Sequence, residues 1–242
     1  MLKDMFDDIN ITNDINVAEE SIFLDKSDEI IKSPLIKKDQ NIIEINDTIY
    51  LRINNNTGNH YCLLDGEIYQ IHDFENLIIL INSMTAGESL LIDIVSHGGS
   101  VSIMNVICSA IFRCKGKVIT NILSFAYSAA SAIWACGHEL RLSPNAHALF
   151  HMGITFGFGR IDEIIVQNNI TYLFLNKLFR YFVNRGILTE EELEMILVKK
   201  IDVILPYSVL KERIEIANNK KINNLLNTTN TLDKEEDRQN EE

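Results

Sequence analysis

Three short segments, in chain order, carry residue types that together suit acyl transfer. A glycine pair lies in Ser96-His97-Gly98-Gly99-Ser100, a serine in the small-residue run Ala126-Tyr127-Ser128-Ala129-Ala130-Ser131-Ala132, and a histidine in Phe150-His151-Met152-Gly153. Glycine accepts a positive φ and leaves its backbone N–H open to a ligand. A serine hydroxyl attacks a carbonyl once an adjacent base takes its proton, and imidazole is the usual base. Ser128 is therefore the candidate nucleophile and His151 its general base. The N–H groups of Gly98 and Ala129 would form a two-donor oxyanion hole, in which each donor is worth roughly 2.7–4 kcal/mol of transition-state stabilisation. Ser131, one turn deeper on the same side, is the rival nucleophile, and Ser124 at a strand end is a further one. The remaining histidines, at 60, 72, 97, 138 and 147, are scattered and read as structural or exposed.

These residues need a scaffold that brings strand ends together. Asn59 is followed by the short apolar run His60–Leu64, a strand that turns at Asp65-Gly66. The spacing predicts a helix over Asp73–Met84, capped by Asp73, then a buried strand over Leu90–Val95. A helix capped by Ser100 or Ser102 runs to Phe112, a strand covers Val118–Leu123, and a small-residue helix covers Ser128–Cys136. Two strands, Glu139–Leu142 and Ala146–Phe150, flank Ser143-Pro144-Asn145. A long amphipathic helix spans Asp162–Val183, Thr189-Glu190-Glu191-Glu192 is a capping box, and a last helical piece follows Pro206. The fold class is α/β: repeated βα units with a parallel sheet flanked by helices, whose ligands bind at the carboxyl ends of strands. Gly98, Ser128 and His151 each fall at or just after such an end.

The 242 residues suit one large domain or two small ones, and 46% apolar content is enough for an ordinary core. Residues 1–45 read as a mobile acidic extension, 46–221 as one folded unit, and 222–242 as a disordered acidic tail. The net charge of −12 and the lack of a basic stripe argue against a nucleic-acid partner. The N-terminal MLKDMFDDINITNDIN has no apolar core of a secretory signal, and no apolar run reaches membrane-span length. Cys62, Cys108, Cys114 and Cys136 form no CxxC pair, and free buried thiols point to a reducing, cytoplasmic setting.

The three motifs resemble the proteolytic subunit of the Clp protease, and more closely the Clp-like serine peptidases carried by phages. Those families show a strand, SPGG and a helix, then a nucleophile segment of the type G-x-A-A-S-x-A-A, then a histidine closing a strand after L-x-P-N-A. The matches here are Ser96-His97-Gly98-Gly99, Ala126–Ala132 running to Ala135-Cys136-Gly137, and Leu142-Ser143-Pro144-Asn145-Ala146 running to His151. Asp65-Gly66-Glu67-Ile68 resembles the family's early turn, and the likeness covers roughly residues 60–217. It implies a serine endopeptidase with the fold shared by Clp and crotonase-like proteins and a protruding handle helix at 162–183. Ser128 and His151 would be catalytic, with Gly98 and Ala129 as the oxyanion hole. Gly99 and the stretch Gly153-Ile154-Thr155 running to Gly159 would bind substrate backbone. It further implies heptameric rings, an AAA+ unfoldase partner that feeds peptide or unfolded protein, and no cofactor or metal.

The chain departs from the pattern in several places. His97 stands where the family has proline, Met152-Gly153 replaces an amide–proline pair, and Ile214 falls where glycine is usual. The family's spacing for the third triad member lands on Val198 or Lys199, neither of which can orient an imidazole. Asp202, 51 residues after His151, is the nearest aspartate and the candidate. Two alternatives therefore stand beside the endopeptidase: a catalytically silent ring subunit, and a crotonase-like enzyme acting on acyl-CoA thioesters through the same kind of N–H pair.

Overall fold

A computed structural model describes residues 42–153 and 160–219 of the chain. The expected acidic tail lies outside the described residues, as does the expected extension over 1–41; residues 42–45 form a strand.

One eight-stranded sheet carries the fold. Its strands are β1 (Ile42–Ile45), β2 (Ile49–Ile53), β3 (Asn59–Leu64), β4 (Ser89–Ser96), β5 (Lys117–Tyr127), β6 (Glu139–Leu142), β7 (His147–Phe150) and β8 (Val203–Leu205). The order is β1-β2-β3-β4-β5-β7-β8, with β6 also paired to β5. The central β3–β4–β5–β7 pairs are parallel, as the βα alternation predicts, while β1–β2, β2–β3 and β7–β8 are antiparallel. The first two strands were hidden by polar residues between them. Asn46 accepts hydrogen bonds from the N–H groups of Thr48 (2.9 Å) and Ile49 (2.8 Å), so a side-chain-built turn joins β1 to β2.

The helices are α1 (Glu75–Ser83), α2 (Val101–Arg113), α3 (Ala129–Cys136), α4 (Ile161–Arg185), α5 (Glu190–Leu197) and α6 over 207–219. Ser100 caps α2 by accepting from the N–H of Ile103, and Thr189 with Glu192 closes the capping box of α5. Asp73 does not cap α1. A 3₁₀ turn over Ile71–Phe74 precedes that helix, and the Asp73 carboxylate accepts instead from the hydroxyl of Thr48 at 3.2 Å. Along β4 every second residue is buried, which puts Leu90, Ile92, Ile94 and Ser96 on the core side. Every residue of α3 is buried, and the small ones among them (Ala129, Ala130, Ser131, Ala132 and Ala135) let that helix lie close behind the sheet.

Strand β5 is long enough to pair with two strands in tandem on one side. Its first half pairs with β6 (Ile119↔Glu139 to Ile122↔Leu142) and its last residues pair with β7 (Phe125↔His147 to Tyr127↔Leu149). The jog at Ser143-Pro144-Asn145, where Asn145 adopts φ 68°, shifts the chain from one register to the next. This carries β7 out to the tip of β5.

A buried histidine is one group through which acid acts on this scaffold. His60 is 4% exposed; its Nδ1 accepts from the N–H of Asn54 at 3.1 Å, and its Nε2, 3.7 Å from a Glu88 oxygen, has no hydrogen-bond partner. Burial pushes its pKa below 6.5, opposed by the Glu88 carboxylate, while the N–H of Thr85 pulls the Glu88 carboxyl down. Both depressed groups stabilise the fold above their unfolded pKa values, and that stability is lost as pH falls through 6.5 and then through the carboxylate range. The urea midpoint is expected to drop between pH 7.5 and pH 5.5. His60→Gln, which keeps an acceptor but cannot titrate, is expected to flatten that drop.

Candidate active site

The sheet order places the candidate residues in one row. Gly98 and Gly99 follow the end of β4, Ser128 follows β5, and His151 follows β7, three neighbouring strands. The Ser96↔Ala126 and Ala126↔Ala148 pairings fix the alignment, and the N–H of Ser128 donates to Leu149 O at 2.9 Å. Strand β8 completes the row from the other edge. Its antiparallel register pairs Phe150 with Val203, so the next residues outward are His151 and Asp202.

Ser128 sits at a sharp strand-to-helix turn with φ 54° and ψ −120°. A non-glycine residue with positive φ is costly, on the order of 1–3 kcal/mol, and such strain collects at functional sites. Although Ser128 is the N-cap of α3, its side chain makes no capping hydrogen bond, so its hydroxyl is not spent on the helix. Ser131 is spent. It is fully buried, with Oγ 2.7 Å from Ser128 O and 2.8 Å from Leu149 O, and so it ties the Ser128 turn to β7. Ser124 is exposed on β5.

Ser128 and His151 line one cavity with Ala129, Ala132, Met104 and Phe179. No hydrogen bond joins the Ser128 hydroxyl to the imidazole among the described residues. Catalytic contacts of this kind often tighten only when substrate is bound. His151 Nδ1 lies 3.7 Å from an Asp202 oxygen, with the aspartate side chain 59% exposed. That distance is an ion-pair contact, longer than a hydrogen bond. Nδ1 is the ring nitrogen that faces the acid.

Gly98 and Gly99 differ in how the fold uses their backbone groups. The N–H of Gly98 donates to Ser96 Oγ at 3.1 Å, and Ser96 in turn donates to Gly66 O at 2.6 Å, so this amide is engaged and is not free for an oxyanion. Gly98 contributes space. At φ 93°, a Cβ there would lie 2.4 Å from Tyr127 O, 2.8 Å from Ala129 N and 3.1 Å from Ser128 Cβ. Gly98 O and Ser100 N both bond to Ile68, at 2.8 and 2.7 Å, in a parallel bridge. By the alternation of an extended chain, the intervening Gly99 N–H points away from Ile68. The N–H of Ala129 lies in the first turn of α3, where helix donors have no internal acceptor. Gly153 lines the cavity, whereas Ile154 and Thr155 lie outside the described residues.

Sequence reasoning missed several supporting groups. Tyr127 OH lies 2.6 Å from His147 Nε2, and the rings of His97, Phe125, Tyr127 and His147 cluster around the tip of β5. The histidine that opens β7 was the available signal. Ser96 and Ser131 act through backbone carbonyls, a role no motif marks. Among the described residues no three His, Cys, Asp or Glu side chains converge on a metal position, and no helix is long and apolar enough to cross a membrane.

The Clp protease family model matches residues 63–199, more than half of the 242-residue chain. No curated protein matches the chain.

Proposed function

Since the chain belongs to the Clp protease family, we propose that it is a serine endopeptidase whose nucleophile is Ser128. The observation that carries this reading is the alignment of three adjacent strand ends, which brings Ser128 and His151 to one cavity and Asp202 to the far side of the imidazole. Ser128 Oγ attacks the substrate carbonyl as its proton passes to His151 Nε2. The oxyanion so formed is stabilised by the N–H of Ala129, with the N–H of Gly99 taking the part expected of Gly98. His151 then gives the proton to the departing amine as the C–N bond breaks. Water, deprotonated by the same imidazole, hydrolyses the acyl-enzyme. Asp202 holds the imidazole in the tautomer with its proton on Nδ1 and stabilises the imidazolium.

Family membership also supports assembly into rings that an ATP-driven unfoldase feeds. The first half of α4 exposes Val166, Ile170 and Leu173, an i, i+4, i+7 set on one face, with Ile161 and Ile165 on another. An apolar stripe of this kind on a helix marks a contact surface. The silent-subunit reading draws on one observation, the 3.7 Å gap to an acid that is 59% exposed.

Native mass spectrometry after treatment with a fluorophosphonate tests both points at once. The expected result is a species far above 27.6 kDa that carries one adduct per subunit, located on Ser128 and retained in Ser131→Ala. An assembled but unlabelled particle would support the silent subunit. A strict monomer would count against ring assembly.

A further inference from the structure

Asp202 owes its place to a turn whose key residue is a lysine. Helix α5 ends at Leu197, and the chain closes it with a bond from the N–H of Ile201 to Met195 O at 2.9 Å, six residues back. That pattern requires a left-handed residue just before, a position glycine usually fills. Here it is Lys200, at φ 56°. Its side chain is anchored in two ways: the ammonium donates to Leu197 O, and it lies 5.3 Å from the ring centroid of Tyr172 on α4. The preceding Lys199 pairs with Glu194 at 3.0 Å. Both cations nearest in sequence to Asp202 are thus held elsewhere, and among the described residues the ion pair of Asp202 is with His151.

We propose that Lys200 and Tyr172 form a positioning pair, which fixes the turn leading into Asp202 and keeps the nearest ammonium off the carboxylate that faces His151. A released Lys200, two residues from Asp202, would compete with the imidazole for the same oxygens. The proposal rests on the peptidase reading above. It adds a link from α4 to the acid through a ring and an ammonium, at exposed positions where neither side chain contributes to the core.

The test is steady-state cleavage of a fluorogenic peptide by the full chain, with kcat and KM measured separately. Tyr172→Leu is expected to lower kcat roughly tenfold with KM within about twofold, because misplacing a catalytic group costs turnover rather than binding. Lys200→Asn keeps a residue that tolerates the left-handed turn but removes the ammonium, and is expected to lower kcat less. Lys200→Arg is expected to restore wild-type kcat, since guanidinium also sits well over an aromatic ring. In an Asp202→Asn background, Tyr172→Leu is expected to add nothing. An active wild type whose Tyr172→Leu variant keeps its kcat, or loses as much in the Asp202→Asn background, overturns the pair alone. A wild type that neither labels at Ser128 nor cleaves overturns the peptidase reading and the role of the pair with it.

Discussion

Gly98→Ala is expected to bring peptide cleavage below about 1% of wild type and to destabilise the fold by roughly 1–3 kcal/mol. Two costs add. The residue sits at φ 93°, where a side chain is strained, and its Cβ would come within 2.4 Å of Tyr127 O and 2.8 Å of Ala129 N. Both contacts are backbone atoms on either side of Ser128, so relief requires β4 to separate from β5 or the nucleophile turn to move. Either movement shifts the Ala129 N–H from the oxyanion. Gly87→Ala is the matching control, because Gly87 has φ 99° but nothing within 4 Å of a new Cβ. It is expected to cost about 1–2 kcal/mol of stability through backbone strain and to leave kcat unchanged. Peptide kinetics and urea unfolding of the two variants separate collision from strain. Equal activity in both would show that the close approach at Gly98 has no catalytic consequence.

Ser128→Ala is expected to have the largest effect on turnover, a fall in kcat of about 10⁶-fold, since serine and base act as one unit. Asp202→Asn is expected to cost less than the roughly 10⁴-fold seen when a buried triad aspartate becomes asparagine, because this carboxylate is 59% exposed and 3.7 Å from Nδ1. The ranking is informative in itself. If Asp202→Asn matched Ser128→Ala, the acid would have to close on the imidazole in the substrate complex. If it left kcat untouched, His151 would be oriented without it. Ser131→Ala serves as the comparison within α3. It removes a hydroxyl that bonds two carbonyls, costing about 1 kcal/mol of stability, and leaves the nucleophile in place.

Most of the scaffold could be read because βα units write strong local signals. Apolar runs at 90–95 and 118–123 became β4 and β5, and the capping box at Thr189 opened α5 as expected. Strand β5 extends four residues further than its apolar run, through Ser124 and Phe125 to Tyr127, because pairing with β7 at its tip outweighs the polar residue. The misses share a cause, which is that long-range pairing leaves little local trace. Strand β8 is only Val203-Ile204-Leu205, too short for periodicity to register. Strand β1 falls at the end of the stretch expected as an extension and β2 just inside the expected folded unit, and their mutual pairing leaves no local trace. Within the candidate site, residue types pointed to Ser128, His151 and the glycine pair, which the strand order brings to neighbouring strand ends. Which glycine amide stays free, and which serine hydroxyl is spent, depends on bonds to Ser96, Ile68 and Leu149 that lie far away in sequence.

The three-residue edge strand β8 decides which spacing the acid must respect. Val203 and Leu205 are buried while Ile204 is exposed, so sliding the strand by one residue would turn both inward side chains to solvent. Burial therefore locks the step from Asp202 to Val203, whereas the stretch between Leu197 and Asp202 is held by the Lys200 turn and buries no side chain. The carboxylate takes its place from the sheet edge together with the turn that closes α5. A connector that buries no side chain can change length while the strand keeps its register, so the acid proposed at Asp202 need not keep a fixed sequence spacing from His151.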